Sequence, residues 1–458
     1  MTHATAPLPS HGIPFAEASR VWARIALLSF GGPAGQIALM HRILVEEKRW
    51  IGEQRFLHAL NFCMLLPGPE AQQLAIYIGW LLHRTRGGVV AGVLFVLPGL
   101  LSIMALSWIY ALWGSVGAVS GLLFGLKAAV LGIVCQAVIR IGRRALGNRT
   151  RSALAVAAYL AFFLFNLPFP LVILVAGLIG FASARAGSLA FVGGGSHSTS
   201  GGGVDDADSR LGADLPDHAR PDRRWAIRIG GVLLALWLVP VVALWLVAPA
   251  SVFATIALFF SKLAVVTFGG AYAVLAYVAQ AAVGTYRWLS PTEMLDGLGL
   301  AETTPGPLII VTQFVGFMGA YRHPGGLPPL LAGTLGGLLT SWVTFTPCFL
   351  WIFLGAPFVE RLRQNRALAA ALTAITAAIV GVIANLAVWF ALHYLFHAVG
   401  QARIGVLRLP MPAMASIDPA ALILTVAALV AVLVAGARVP LVLAGCAVAG
   451  LGLRLLAV

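Results

Sequence analysis

Five ionisable side chains stand well inside apolar stretches of this chain: Arg24, Glu70, Lys127, Lys262 and Glu302. A charge at the centre of a bilayer helix costs at least about 2.5–3.5 kcal/mol, and such groups usually face a pathway. Arg24 and Lys262 each lie six residues before the phenylalanine of a repeated motif, Phe30-Gly31-Gly32 or Phe268-Gly269-Gly270. Two cations brought together near a membrane midplane would suit a small divalent anion. The alternative for each is a long side chain that snorkels to the nearer interface. Lys127, in GLKAAVLG, reads either as a further substrate cation or as the ion-pair partner of Glu70.

A second motif, Pro67-Gly68-Pro69 and Pro305-Gly306-Pro307, adds backbone chemistry. Proline inside a helix costs about 3 kcal/mol and removes a donor, so two prolines around a glycine break a helix. A helix starting just after the break points unpaired N–H groups and its positive dipole end at the gap, which favours an anion. Gly31, Gly32, Gly68, Gly269, Gly270 and Gly306 are therefore candidate ligands through backbone, and Thr303 and Thr304 could add hydroxyls. The competing reading of each PGP is a packed turn. Glu70 reads as a carboxylate held by the helix dipole or as a group that takes a proton when the anion binds. Glu302 precedes its PGP and has Met64 as counterpart, so any coupling through it is asymmetric. Gln36, Gln72, Gln136 and Asn385 are further polar candidates, although such residues are more commonly hydrogen-bond partners between helices. No catalytic residue, metal-ligand cluster or cofactor motif is read from the chain.

Of the 458 residues, 60% are hydrophobic and only 10% are charged, against about 25% in an average soluble protein. Mean hydropathy is +0.93. That composition excludes an ordinary soluble enzyme, a disordered chain and a secreted module, and predicts an all-α polytopic membrane protein. The net charge of +14 fits basic cytoplasmic loops better than nucleic-acid binding. Cys63, Cys135, Cys348 and Cys446 are widely spaced and predict neither disulfides nor zinc.

Apolar stretches between residues 15 and 457 give about thirteen membrane segments. They are organised as a tail (1–14), a first repeat (15–185), a flexible cytoplasmic linker (186–226), a connecting helix (227–247) and a second repeat (248–458). The halves align without gaps at an offset of 238, which places FGG, Arg-Trp and PGP in register. Further on, Pro98 matches Pro347 at an offset of 249. The extra helix between them reverses the second repeat. Loop charge agrees: 41–55 carries Arg42, Lys48, Arg49 and Arg55 against Arg287 alone in 279–293, whereas 359–366 carries three arginines against none in 113–118. With 41–55 and 83–86 on one side, the stretch 56–82 must turn back at PGP, and 294–318 likewise. Gly-Gly in a membrane helix more often serves close packing. The FGG segments are therefore read as continuous, with a break as the alternative.

The strings FGGPAGQIALMHRILVEEKRWI, LLPGPEAQQLAIYIGW, FGGAYAVLAYVAQ and TTPGPLIIVTQFVGF resemble the chromate ion transporter family in its long two-domain form. The resemblance covers nearly the whole chain apart from the tail, the linker and the extreme C-terminus. It implies a multi-pass secondary carrier of the bacterial inner membrane that exports chromate and confers resistance, with thirteen spans and opposed halves. It also implies that Phe30-Gly31-Gly32, Pro67-Gly68-Pro69-Glu70, Phe268-Gly269-Gly270 and Pro305-Gly306-Pro307 are the family's motif positions here. Sulfate or another small anion is the alternative substrate, and a homodimer is left open. Export of a dianion from a negative interior gains about 2.3 kcal/mol per charge per 100 mV, and the chain has no GxxxxGK[ST]. A channel or scramblase and an intramembrane enzyme are the other classes. The sequence lacks HExxH and GxSxG, which an enzyme of the common hydrolytic types would carry.

Overall fold

Glycine and proline decide where the helices of this chain stop. In the computed structural model the described residues are 11–188, 190–191, 204–212, 223–268, 271–355, 365–405 and 407–456. Helix α1 (Phe15–Leu28) ends before Ser29, and α2 (Gly32–His41) starts at the second of two glycines with positive φ, Gly31 at +85° and Gly32 at +73°. Other residues reach that region only with strain. The motif is therefore a break and not the continuous helix expected from close packing. A π-helical turn (Arg42–Glu47) extends α2 back along α1: Arg24 pairs with Glu47 at 3.0 Å and Lys48 with Glu17 at 3.1 Å.

A second hairpin follows. Helix α3 (Glu53–Cys63) leads into the non-helical Met64–Pro69, and α4 (Glu70–Trp113) begins. The first arm of α4 runs to residue 82. There His83 and Arg84 leave helical geometry, and the second arm returns against the first, with Gly88 and Gly92 seated on Ile76. His11 donates to the Leu82 carbonyl at 2.6 Å, His83 to Ile13 at 2.9 Å, and His41 meets Glu53 at 2.6 Å. The open ends of both hairpins therefore share one end of the bundle, with FGG and PGP at the tips. Helices α5 (Gly117–Ala145), α6 (Arg149–Phe165) and α7 (Phe169–Arg185) complete this half.

The second half repeats the order after α8 (Arg223–Val247). Helices α9 (Val252–Val266) and α10 (Ala271–Ala279) flank the second FGG, whose Gly269 and Gly270 lie outside the described residues. Helices α11 (Pro291–Thr303) and α12 (Val311–Arg322) flank the second PGP. Arg322 at the end of α12 reaches the Trp288 carbonyl at 2.7 Å and the carboxylate of Glu293 near the start of α11, which closes that hairpin. Helices α13 (Pro329–Gly355) and α14 (Arg366–Leu395) follow, then a two-stranded antiparallel sheet of β1 (Val399–Ile404) and β2 (Leu407–Pro412), and finally α15 (Pro419–Leu429) and α16 (Val439–Leu456). Each half clasps the other: α5 packs between α15 and α16, and α14 packs between α6 and α7. Among the described residues six helices are long and apolar enough to cross a membrane.

Within the stretch 186–226, residues 204–212 are held against the first half. Residues 204–212 dock on the turn before α3: Arg210 and Leu211 donate to the carbonyls of Arg49 and Trp50 at 2.9 and 3.1 Å. Asp206 accepts from the Arg55 amide at 3.2 Å. The cap residue of α3 is Gly52, which has no side chain, and any Cβ there would collide with Asp206. The linker thus supplies a cap that α3 lacks. Asp206→Ala is expected to cost about 0.5–2 kcal/mol, as for other lost caps. A lowered thermal midpoint in detergent would show it, with exposed Asp208→Ala as the silent control. The remainder of 186–226 up to Pro221-Asp222 lies largely outside the described residues.

Candidate functional site

The four interrupted helices meet tip to tip, in two equivalent crossings. The Gly68 amide donates to the Thr267 carbonyl at 2.8 Å, and the Gly306 amide donates to the Ser29 carbonyl at 2.8 Å. Ser29 and Thr267 occupy the same place in the two repeats, as do Gly68 and Gly306. Each PGP therefore joins the FGG break of the other half. Both crossings use the helix-ending carbonyl that a break leaves unpaired. The hydroxyls match as well: Ser29 donates to Ile25 at 2.7 Å and Thr267 to Leu263 at 2.6 Å. Gly68 and Gly306 need φ of +125° and +106°. Behind them the second arm of α4 and α13 press in at Gly99 and Cys348, two positions related by the offset of 249.

Side-chain amides brace these tips. Gln36 donates to the Gly306 carbonyl at 2.5 Å, and Gln73 to the Pro67 carbonyl at 2.7 Å. Around the first PGP several buried polar atoms have no partner among the described residues: both ends of the Gln72 amide, Oε1 of Gln73 and the Thr344 hydroxyl. Each costs about 1–3 kcal/mol unless water or a ligand pairs it. The Glu70 carboxylate has no partner among the described residues either, so the start of α4 gathers unpaired polar groups.

Residues 16–181 and 254–451, which hold both crossings, match the chromate transporter family. The chain belongs to that family. It is 29% identical to the probable chromate transport protein of Synechococcus elongatus over 81% of this chain and 82% of that one. It is 32% identical to a chromate transport protein of Pseudomonas aeruginosa over 79% of this chain and 77% of the relative, and 27% identical to that of Cupriavidus metallidurans over 79% and 78%. No solved structure matches. This member of the chromate transporter family is a multi-pass membrane protein.

The transporter's remaining candidate residues are placed unevenly. The amides of Gly68 and Gly306, expected to face an anion, are spent on the crossings. Thr303 and Thr304 donate back into α11, to Leu300 at 2.8 Å and Ala301 at 2.9 Å, so neither hydroxyl proton is left for an anion. The first glycine pair fares differently: the Gly31 and Gly32 amides open α2 with no acceptor among the described residues. The Tyr272 hydroxyl lies close to Gly32 and donates to Glu302 at 3.0 Å. Arg24 is an exposed residue tied to Glu47, and Lys262 is exposed on α9. Their helices pack on different partners, α1 on α4 and α9 on α13, so the two cations do not form the facing pair that the repeat predicted.

Lys127 does not pair with Glu70. Its ammonium lies 3.1 Å from Asp296, and Tyr110 donates to the other carboxylate oxygen at 3.0 Å. The Lys127–Asp296 contact is a buried ion pair that joins the two halves. Asp296 is the site residue that sequence reasoning passed over, because it falls near the polar start of its apolar stretch. No local pattern marks it: only packing brings Gly299, between Asp296 and Glu302, onto Leu126, one residue from Lys127.

Proposed function

We propose that this protein is a secondary carrier that exports chromate across a bacterial inner membrane and confers chromate resistance. The two halves are taken as inverted repeats of about thirteen segments, with 41–55, 140–151 and 359–366 cytoplasmic. The observation that carries this reading is the reciprocal crossing of the four tips. Two hairpins that enter from opposite faces and meet end to end make a thin barrier at the midplane, with helix starts turned toward it. The substrate-facing donors in this reading are the Gly31 and Gly32 amides and the Gln72 side chain. Glu70, the first residue of α4, stands in this reading as the group that would take a proton when the dianion binds. A dianion leaving a negative interior gains about 4.6 kcal/mol at 100 mV, twice the single-charge value, so no nucleotide is needed.

Radiochromate accumulation in cells with and without the gene tests export. Lower accumulation with the gene is expected, and unchanged accumulation overturns it. Inside-out vesicles then decide substrate choice, because sulfate is also a tetrahedral dianion. Excess sulfate is expected to slow chromate flux by competition. Complete indifference to sulfate would mean that the site reads more than charge and shape.

A further inference from the structure

Away from the crossings, a cavity of about 390 Å³ lies between α6, the π-helical turn after α10, α14 and the β-hairpin, a size within the usual range for small-ligand pockets. Its polar walls are Asn166, Gln280, Asn385, His393, Gln401 and Arg408. We propose that this cavity is a second oxyanion site, a vestibule that holds a tetrahedral dianion through Arg408 and neutral amide donors.

Three observations carry it. First, the lining contains a guanidinium and several neutral donors but no carboxylate. The acids on adjoining segments are engaged elsewhere: Glu293 with Arg322, and Asp418 with His397 and the amides of Ala420 and Ala421. Arg408 has no acidic partner among the described residues, and the residue opposite it on β1, Arg403, is a second cation. Second, the polar groups are held in place with donors left over. Gln280 donates to Asn166 Oδ1 at 2.8 Å, so the Asn166 amide nitrogen remains unpaired among the described residues. His393 Nδ1 donates to the Trp389 carbonyl at 2.9 Å, so Nε2 of the neutral ring is an acceptor and the anion's donors are the amides and Arg408. Third, the roof is particular to the second half. Its counterpart between α5 and α6 is the short turn 146–148, whereas here the chain spends residues 396–418 on a hairpin that brings Gln401 and Arg408 over the cavity. An arginine fork matches tetrahedral oxyanions in a way that a bare ammonium does not.

The pocket's chemistry supports the site by itself; only its placement on the exit face rests on the orientation proposed above. The test uses the full chain in lipid nanodiscs with Gln401→Cys as reporter and sulfate as probe. Millimolar sulfate is expected to slow maleimide labelling of Gln401→Cys, and chloride at equal ionic strength is not. Arg408→Ala in that background is expected to raise the half-protecting sulfate concentration roughly tenfold or more, the loss of one charge-assisted contact. Arg408→Lys should recover part of it. Labelling that ignores sulfate, protection by chloride alike, or protection undiminished in Arg408→Ala each overturns the vestibule. If Arg408→Ala does not yield folded protein, Arg408→Gln decides the same point. Chromate flux in the same preparations separates the two readings: flux without sulfate protection removes the vestibule alone, and protection without flux removes the transport reading alone.

Discussion

Lys127→Ala is expected to strip this transporter of most of its stability. Lys127 is 9% exposed and Asp296 4% exposed, on α5 of the first half and α11 of the second. Breaking a buried pair from one side costs about 3–5 kcal/mol, because the remaining charge stays buried without compensation. The change should appear as a large drop in thermal midpoint in detergent and a low yield of membrane-inserted protein. Replacing both partners with apolar residues, Lys127→Met with Asp296→Leu, removes both charges and should recover most of the loss. The Tyr110 hydroxyl keeps its acceptor in Lys127→Ala and loses it only in the double variant. The double variant also separates roles. Recovered stability with recovered chromate flux makes the pair a structural tie between the halves. Recovered stability without flux places it on the transport path. A single variant as stable as the unchanged protein would refute the buried pair.

The second large effect is expected at the crossings. Gly306 needs φ of +106°, and a Cβ there would meet the Gly99 Cα at 3.3 Å. Holding a non-glycine residue in such a conformation costs about 1–3 kcal/mol. Relief of that strain moves the amide that reaches Ser29. Gly306→Ala is therefore expected to lower chromate flux roughly tenfold to a hundredfold, since each 1.36 kcal/mol is a factor of ten. Gly68→Ala should behave alike, because φ there is +125° and Gln73 and Cys348 crowd the position. Gly231, where a Cβ would meet nothing within 4 Å, is the control that should tolerate alanine. Normal flux in both motif variants would show that the crossings can slip without consequence.

Much of this architecture was legible before any coordinates. FGG, Arg-Trp and PGP recur at one spacing, and that recurrence carries through to equivalent hydrogen bonds. Two prolines around a glycine forbid a helix at residues 67–69, and basic residues on both flanks require the chain to return. The FGG break was less legible, because Gly-Gly serves close packing and positive φ equally well. The ion pairs were the least so. Lys127 and Asp296 are 169 residues apart, and the nearer sequence candidate, Glu70, stands on a different arm.

Local chemistry by itself determined a membrane-embedded helical chain, its two related halves and the points where its helices must stop, because proline, glycine and hydropathy act over a few residues. Which carbonyl each freed amide meets, which acid faces Lys127, and that Asp206 caps a helix through the Arg55 amide 151 residues before it were decided only by packing. Those choices depend on which of many compatible surfaces come within 3 Å, and no local pattern records that distance.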